Sequence, residues 1–100
     1  MSIRLSHSAA LILKALSLGF CFGLDVMEVT GLPSGTVYPA LRRLERDGFV
    51  NAHWEPEEEA TRNARPARRY YQVTPEGHSA ALAATMRYPL LARLIPEKHA

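Results

Sequence analysis

A single cysteine, Cys21, occurs among the 100 residues, which excludes an internal disulfide and fits a reducing cytoplasm. Flanked by Phe20 and Phe22, it reads as a small buried hydrophobe rather than a reactive thiol. No apolar run approaches the ~20 residues needed to cross a bilayer. The stretch from Ala9 to Leu16 has the apolar character of a signal-peptide centre. Lys14 breaks it, however, and no small-residue cleavage pattern follows, so it reads as a structural helix. His7, His53, His78 and His99 are scattered without companions at metal-ligand spacing, so no metal site is expected. No serine, cysteine or carboxylate stands in a catalytic arrangement, and no glycine-rich phosphate loop follows a strand. An enzyme reading has very little support, and nothing calls for a cofactor. The net charge is only +2, so bulk charge is a weak argument for a polyanionic partner.

Placement of charge is more informative. The stretch Leu32-Pro33-Ser34-Gly35-Thr36-Val37-Tyr38-Pro39-Ala40-Leu41-Arg42-Arg43-Leu44-Glu45-Arg46-Asp47-Gly48 reads as a helix with two unlike faces. On a 3.6-residue period Val37, Ala40, Leu41 and Leu44 form a stripe that needs a core behind it. The remaining arc carries Thr36, Tyr38, Arg42, Arg43 and Arg46. A helix anchored on one side and armed with arginines and hydroxyls on the other suits a nucleic-acid groove. A solvated surface helix is the alternative, and the stripe alone does not choose between them.

The length suits one small domain. A first helix starts at Ser6 or Ser8 and runs to about Leu18. Leu5, Ala9, Ile12 and Leu16 form one stripe, while Leu11, Ala15 and Leu18 widen it to another side. That surplus predicts a second surface to cover, one that a partner chain would supply. Residues Gly19 to Gly23 read as a turn, and a short helix over Leu24 to Val29 stops at Gly31. Ser34 is the best cap for the arginine-bearing helix, with Thr36 as an alternative that places Pro39 in the first turn. Asp47-Gly48 ends that helix.

The stretches Phe49–Trp54 and Arg69–Thr74 are compatible with strands. Between them, the charged run from Glu55 to Pro66 has no apolar periodicity and reads as a long flexible hairpin tip. Thr74 then caps a last, alanine-rich helix with Pro75 at its first position, and Leu82 and Met86 share one side. Pro89 should interrupt it before Leu90 to Ile95, and Pro96 ends it.

Three helices followed by a hairpin make a winged helix-turn-helix, mainly α with a small β-hairpin, in which the third helix enters the major groove. The expected organisation is a single domain over residues 1–100, with a winged-helix core at 6–74 and a C-terminal dimerisation helix at 75–95. Arg62, Arg65 and Arg68 are placed for the phosphates or an adjacent minor groove.

The run from Gly35 to Glu45, closed by Gly48, resembles the signature of PadR-type transcriptional regulators. The run Arg65-Pro66-Ala67-Arg68-Arg69-Tyr70-Tyr71-Gln72-Val73-Thr74-Pro75-Glu76-Gly77 is similar to that family's wing-to-helix junction. Phe22-Gly23-Leu24-Asp25 is a weaker match, since the family usually has Tyr-Glu after the glycine. The resemblance spans roughly Leu11 to Gly77. It implies a homodimeric transcription factor, usually a repressor, that binds an inverted-repeat operator in double-stranded DNA. It also implies release by a small-molecule effector or other signal, and pairing of the last helix with the partner's first. Leu11, Ala15, Leu18, Leu82, Met86 and Leu90 are the corresponding interface candidates. Two features depart from the family pattern: a short C-terminal region interrupted by Pro89, and the acidic run Glu57 to Glu59 in the wing. The acids would repel phosphate unless they point away, leaving DNA to arginines of the returning arm.

Individual roles follow, each with its structural alternative. Ser34 and Thr36 offer hydroxyls and amides to phosphate, or simply cap the helix. Tyr38 meets phosphate or sugar, or packs on the hairpin. Arg42, Arg43 and Arg46 meet base edges or phosphates, the later positions favouring phosphate; Arg43 alternatively pairs with Asp47. In the returning strand Tyr71 and Val73 face the core, leaving Tyr70 and Arg68 on the open face. Trp54 reads as a packing residue. A protein-interaction module using the same fold is the rival function. A ligand sensor with Phe20, Phe22 and Trp54 around a pocket is a weaker third.

Overall fold

The computed structural model describes residues 5–91. The expected helical segment beyond residue 91, its stop at Pro96, and His99 lie outside the described residues. Among those described, the chain forms α1 (His7–Ser17), α2 (Gly23–Thr30), α3 (Ser34–Arg46), β1 (Val50–Trp54), α4 (Glu57–Arg62), β2 (Arg69–Val73) and α5 (Pro75–Arg87). It is a mainly helical winged helix-turn-helix with a two-stranded antiparallel sheet.

α1 starts where the Ser6 hydroxyl accepts the Ala9 amide at 3.1 Å. It packs against α2, α3, α5 and β2, so it is the central helix and is apolar almost all round. This corrects the expectation of spare apolar surface on α1. Leu11 is buried and Ala15 fully so within the same chain, whose other elements pack around α1; Leu18 is half-buried. Ile12 and Leu13 join Val26, Val37, Leu41, Leu44, Val50 and Leu91 in the most deeply buried part of the core.

α2 closes through the left-handed Gly31, at φ 74°, whose amide returns to the Met27 carbonyl. α3 then begins one residue earlier than the capping pattern implied. Pro33 occupies the cap and Ser34 is already helical, with no side-chain cap bond. Pro39 therefore sits inside the helix, beyond the first turn. Its missing N–H leaves the Gly35 carbonyl without its helical donor, at a residue exposed to solvent. After Asp47, the chain reverses at Gly48 (φ 82°) and the Phe49 amide reaches the Leu44 carbonyl at 2.9 Å.

The wing pairs Val50 with Val73, Ala52 with Tyr71 and Trp54 with Arg69. Its connection is not a flexible tip. Residues 57–62 form α4, with Glu57, Glu58 and Glu59 in the first turn and Arg62 in the last, the charge order a helix dipole favours. Ala60 is buried beneath it. The turn at 19–23 also joins the sheet. Phe22 bridges to Tyr70, and the Tyr71 amide donates to the Cys21 carbonyl at 2.9 Å. Cys21 itself is only half-buried. The Thr74 hydroxyl accepts the Gly77 amide at 3.0 Å and donates to the Gly48 carbonyl at 2.7 Å, starting α5 and tying it to the end of α3. α5 stops at Tyr88, which takes a non-helical conformation, as the residue before a proline should.

Candidate nucleic-acid interface

α3 is locked into the core by Val37, Ala40, Leu41 and Leu44, all buried, and this fixes the rotation of its other face. Ser34, Tyr38, Arg42, Arg43 and Arg46 are exposed there, and Thr36 is half-buried. Arg42 and Arg43 make no side-chain hydrogen bond or ion pair among the described residues, so the Arg43–Asp47 pairing is not formed. Asp47 instead takes the neighbouring Arg46 Nε at 3.2 Å, a pair with a largely exposed guanidinium that water screens.

Tyr38 leans toward the start of α2. A Cβ added at Gly23 would lie 2.6 to 2.8 Å from its ring and hydroxyl, so the glycine makes room for the tyrosine. Around them lies a cavity of about 170 Å³ bordered by Phe22, Leu24, Arg68, Arg69 and Tyr71. Phe20 and Trp54 do not line it, which removes two of the three residues expected around a sensor pocket. Burial pushes the Tyr71 phenol up from its usual range. Arg69 and Arg42 oppose that rise, and Glu45 and Tyr38 add to it; the inner face of the wing meets α3 where Arg69 pairs with Glu45 and where Tyr38 and Tyr71 border one cavity.

The wing arginines are divided. Arg62 is exposed at the end of α4. Arg65 grips Glu55 with two bonds, Nη1 to Oε1 at 2.5 Å and Nη2 to Oε2 at 3.0 Å. The Arg68 amide donates to Glu55 Oε1 at 2.9 Å, and its guanidinium Nε stands 3.5 Å from the same oxygen. The Arg68 guanidinium carbon also lies 3.9 Å from the centre of the Phe22 ring, a cation–π arrangement. The bonds from Arg65 and the Arg68 amide hold the Glu55 carboxyl at about 2, against the burial that would raise it. Arg65 is thus held by Glu55, while the Arg68 side chain, 38% exposed, makes no side-chain hydrogen bond among the described residues. Their partner Glu55 lies at the end of a polar run that offered no sign of burial. Tyr70 lies on the sheet face opposite Tyr71, as expected, and is half-buried there against Phe22 and His53, with ring centres 6.3 and 5.4 Å away.

Two residues of this region were not singled out as contacts by the sequence. Arg69, on the wing's inner face, reaches Glu45 of α3 at 3.2 Å. Trp54, expected to pack, is exposed; it forms the last pair of the ladder, two pairs beyond the buried Tyr71. Strand alternation around the buried Tyr71 would have placed Arg69 on this face. On α5 and just after it, Leu82, Met86 and Leu90 are 67%, 79% and 63% exposed. No helix among the described residues is long and apolar enough to cross a membrane, and no metal-binding cluster occurs among them.

The fold has close counterparts among solved structures. A PadR family transcription regulator from hypervirulent Clostridium difficile R20291 superposes with a TM-score of 0.72 at 21% identity, covering 89% of this chain and 94% of that one. A transcriptional regulator from Clostridium thermocellum gives 0.69 at 22%, covering 88% and 85%. The circadian clock associated protein Pex from Anabaena gives 0.64 at 25%, covering 86% and 79%. No curated protein matches the sequence. Residues 12–84 match the model of the transcriptional regulator PadR-like family. That span takes in the anchored α3, the whole wing and most of α5, and the chain belongs to the PadR-like family of transcriptional regulators.

Proposed function

We propose that this protein is a homodimeric repressor, not an enzyme, that binds an inverted-repeat operator in double-stranded DNA within the cytoplasm. The observation that carries the reading is the display on α3: Arg42, Arg43 and Arg46 face solvent from a helix whose opposite side is held by four buried residues. In this reading α3 enters the major groove. Ser34 and Thr36 offer hydroxyls at its leading end, where the Thr36 and Val37 amides are already bonded to the Pro33 carbonyl and the helix dipole favours phosphate. Tyr38 and Arg42 follow on the exposed side, and Arg43 and Arg46 meet the flanking backbone. Arg62 extends the contact from the wing. Arg65, Arg68 and Tyr70 support it indirectly by holding the wing in place.

Self-association is assigned to Leu82, Met86 and Leu90, an apolar row that a single copy leaves open. A small-molecule effector has a suitable seat in the cavity beside Tyr38, where an occupant would press on a residue of the DNA-facing surface.

The test is titration of labelled palindromic duplexes selected from a random pool. Binding should fall steeply with salt as phosphate-bound counterions are released. Arg42→Ala or Arg43→Ala should cost about 1–3 kcal/mol and relax sequence preference if the residue reads a base. Wild-type titrations insensitive to salt, with both variants unchanged, would sink the reading.

A further inference from the structure

Trp54, the only tryptophan, is 64% exposed. Strand alternation determines which way it faces. Val50, Ala52 and Trp54 share a face with their partners Val73, Tyr71 and Arg69, and Val50 and Tyr71 on that face are buried. Trp54 is therefore on the inner side of the wing, the side turned toward α3. Arg69 joins the two elements: its guanidinium reaches Glu45 of α3 at 3.2 Å and lies 5.8 Å from the Trp54 ring centre. The indole N–H has no acceptor among the described residues. An amphipathic ring and a planar cation thus stand together in solvent, beside the side of α3 that carries Arg42.

We propose that Trp54 and Arg69 form a sugar–phosphate clamp, gripping the DNA strand that borders the groove entered by α3. The inference rests on the DNA-binding reading above and assigns to this pair a backbone contact from the inner face of the wing. The indole packs its ring on deoxyribose and donates its N–H to a phosphate oxygen. Arg69 exchanges one partner for another. Its pair with Glu45 joins two half-exposed side chains, a weak interaction in water, whereas phosphate accepts the planar guanidinium fork in bidentate fashion. Arg65 would have to abandon two bonds to Glu55 to do the same.

Because the clamp touches backbone and not bases, a mixed-sequence duplex of about two helical turns at low salt is a sufficient probe. Titration should change the emission of Trp54, with no other tryptophan contributing. Trp54→Ala should weaken binding about tenfold, as loss of one hydrogen bond to a charged group would, with the salt slope unchanged because the indole is neutral. Trp54→Phe keeps a ring without the N–H and should fall between. Arg69→Ala should weaken binding and reduce the slope of log K against log salt by about one. Thermal midpoints near wild type would show that the wing still folds. Unaltered emission together with wild-type affinity in Trp54→Ala, alongside weakened Arg42→Ala, would overturn the clamp and leave the DNA-binding reading standing. A wild-type protein that binds no duplex at all would overturn both.

Discussion

Tyr38 occupies the space that a side chain at Gly23 would need, its ring 2.6 to 2.8 Å from where that Cβ would lie. The start of α2 therefore governs the pose of a residue on the exposed face of α3. Because the obstructing atoms are the far end of a side chain, Gly23→Ala should be accommodated by swinging the tyrosine. The expected outcome is a nearly unchanged melting temperature with weakened DNA binding. In a Tyr38→Ala background the same change should add no further loss, and a double-mutant cycle by fluorescence anisotropy measures this coupling.

Gly77 is a different case. A Cβ there would overlap the Phe49 carbonyl oxygen and stand 2.7 Å from Val73 Cγ1. The first obstacle is backbone, held by the Thr74 amide at 3.0 Å, so it cannot swing aside. Gly77→Ala should destabilise the fold by about 1–3 kcal/mol, the usual cost of overpacking, seen as a lower midpoint in urea denaturation.

The Glu55 cluster predicts a direction of pH dependence. Its carboxyl is lowered from 4.5 to about 2 by Arg65 and Arg68, so the unfolded chain binds the proton more readily. The associated stability is complete above about pH 4.5 and is lost as pH falls from there toward 2. Denaturation midpoints measured across that interval should fall more steeply for wild type than for Glu55→Gln. Equal acid limbs would contradict the role given to the cluster.

Arg65→Ala separates a structural role from a DNA contact. Removing this guanidinium leaves Glu55 without two of its bonds. The variant should show a lower thermal midpoint and faster amide exchange in β1 and β2. With the wing saturated at low temperature, its salt slope for DNA should match wild type. A slope reduced by about one would place Arg65 on phosphate after all.

Glu45 offers a change in the opposite direction. Its carboxylate lies on the side of α3 near Arg42, partly neutralised by Arg69. Glu45→Gln removes a charge that repels phosphate and releases Arg69, so DNA binding should tighten severalfold, mostly through faster association. Stopped-flow anisotropy at two salt concentrations measures it.

The helical half of this fold was legible because its punctuation is chemical. Gly31 and Gly48 sit at positive φ where the helices end, and Thr74-Pro75 starts α5 by the expected cap. The display on α3 followed from a single apolar stripe. The wing was harder to read. α4 is too short for periodicity to register, and Glu55 meets Arg65 and Arg68 across ten and thirteen positions, a distance at which local patterns carry no information. Ala15 misled for another reason: an apolar residue buried within its own chain looks the same in sequence as one covered by a second subunit. Trp54 misled because size suggests burial, whereas only the length of the ladder decides which rung outruns the core.

The strap formed by Cys21 and Phe22 across Tyr70 and Tyr71 has a mechanical consequence. With Val50 and Tyr71 buried against the core on the inner face, the hairpin is fastened on both faces, and the gap between it and α3 behaves like a caliper set to one width. A duplex seated on both jaws must bring its own groove to that width. Base steps that bend or narrow cheaply would then be favoured even where no side chain reaches them.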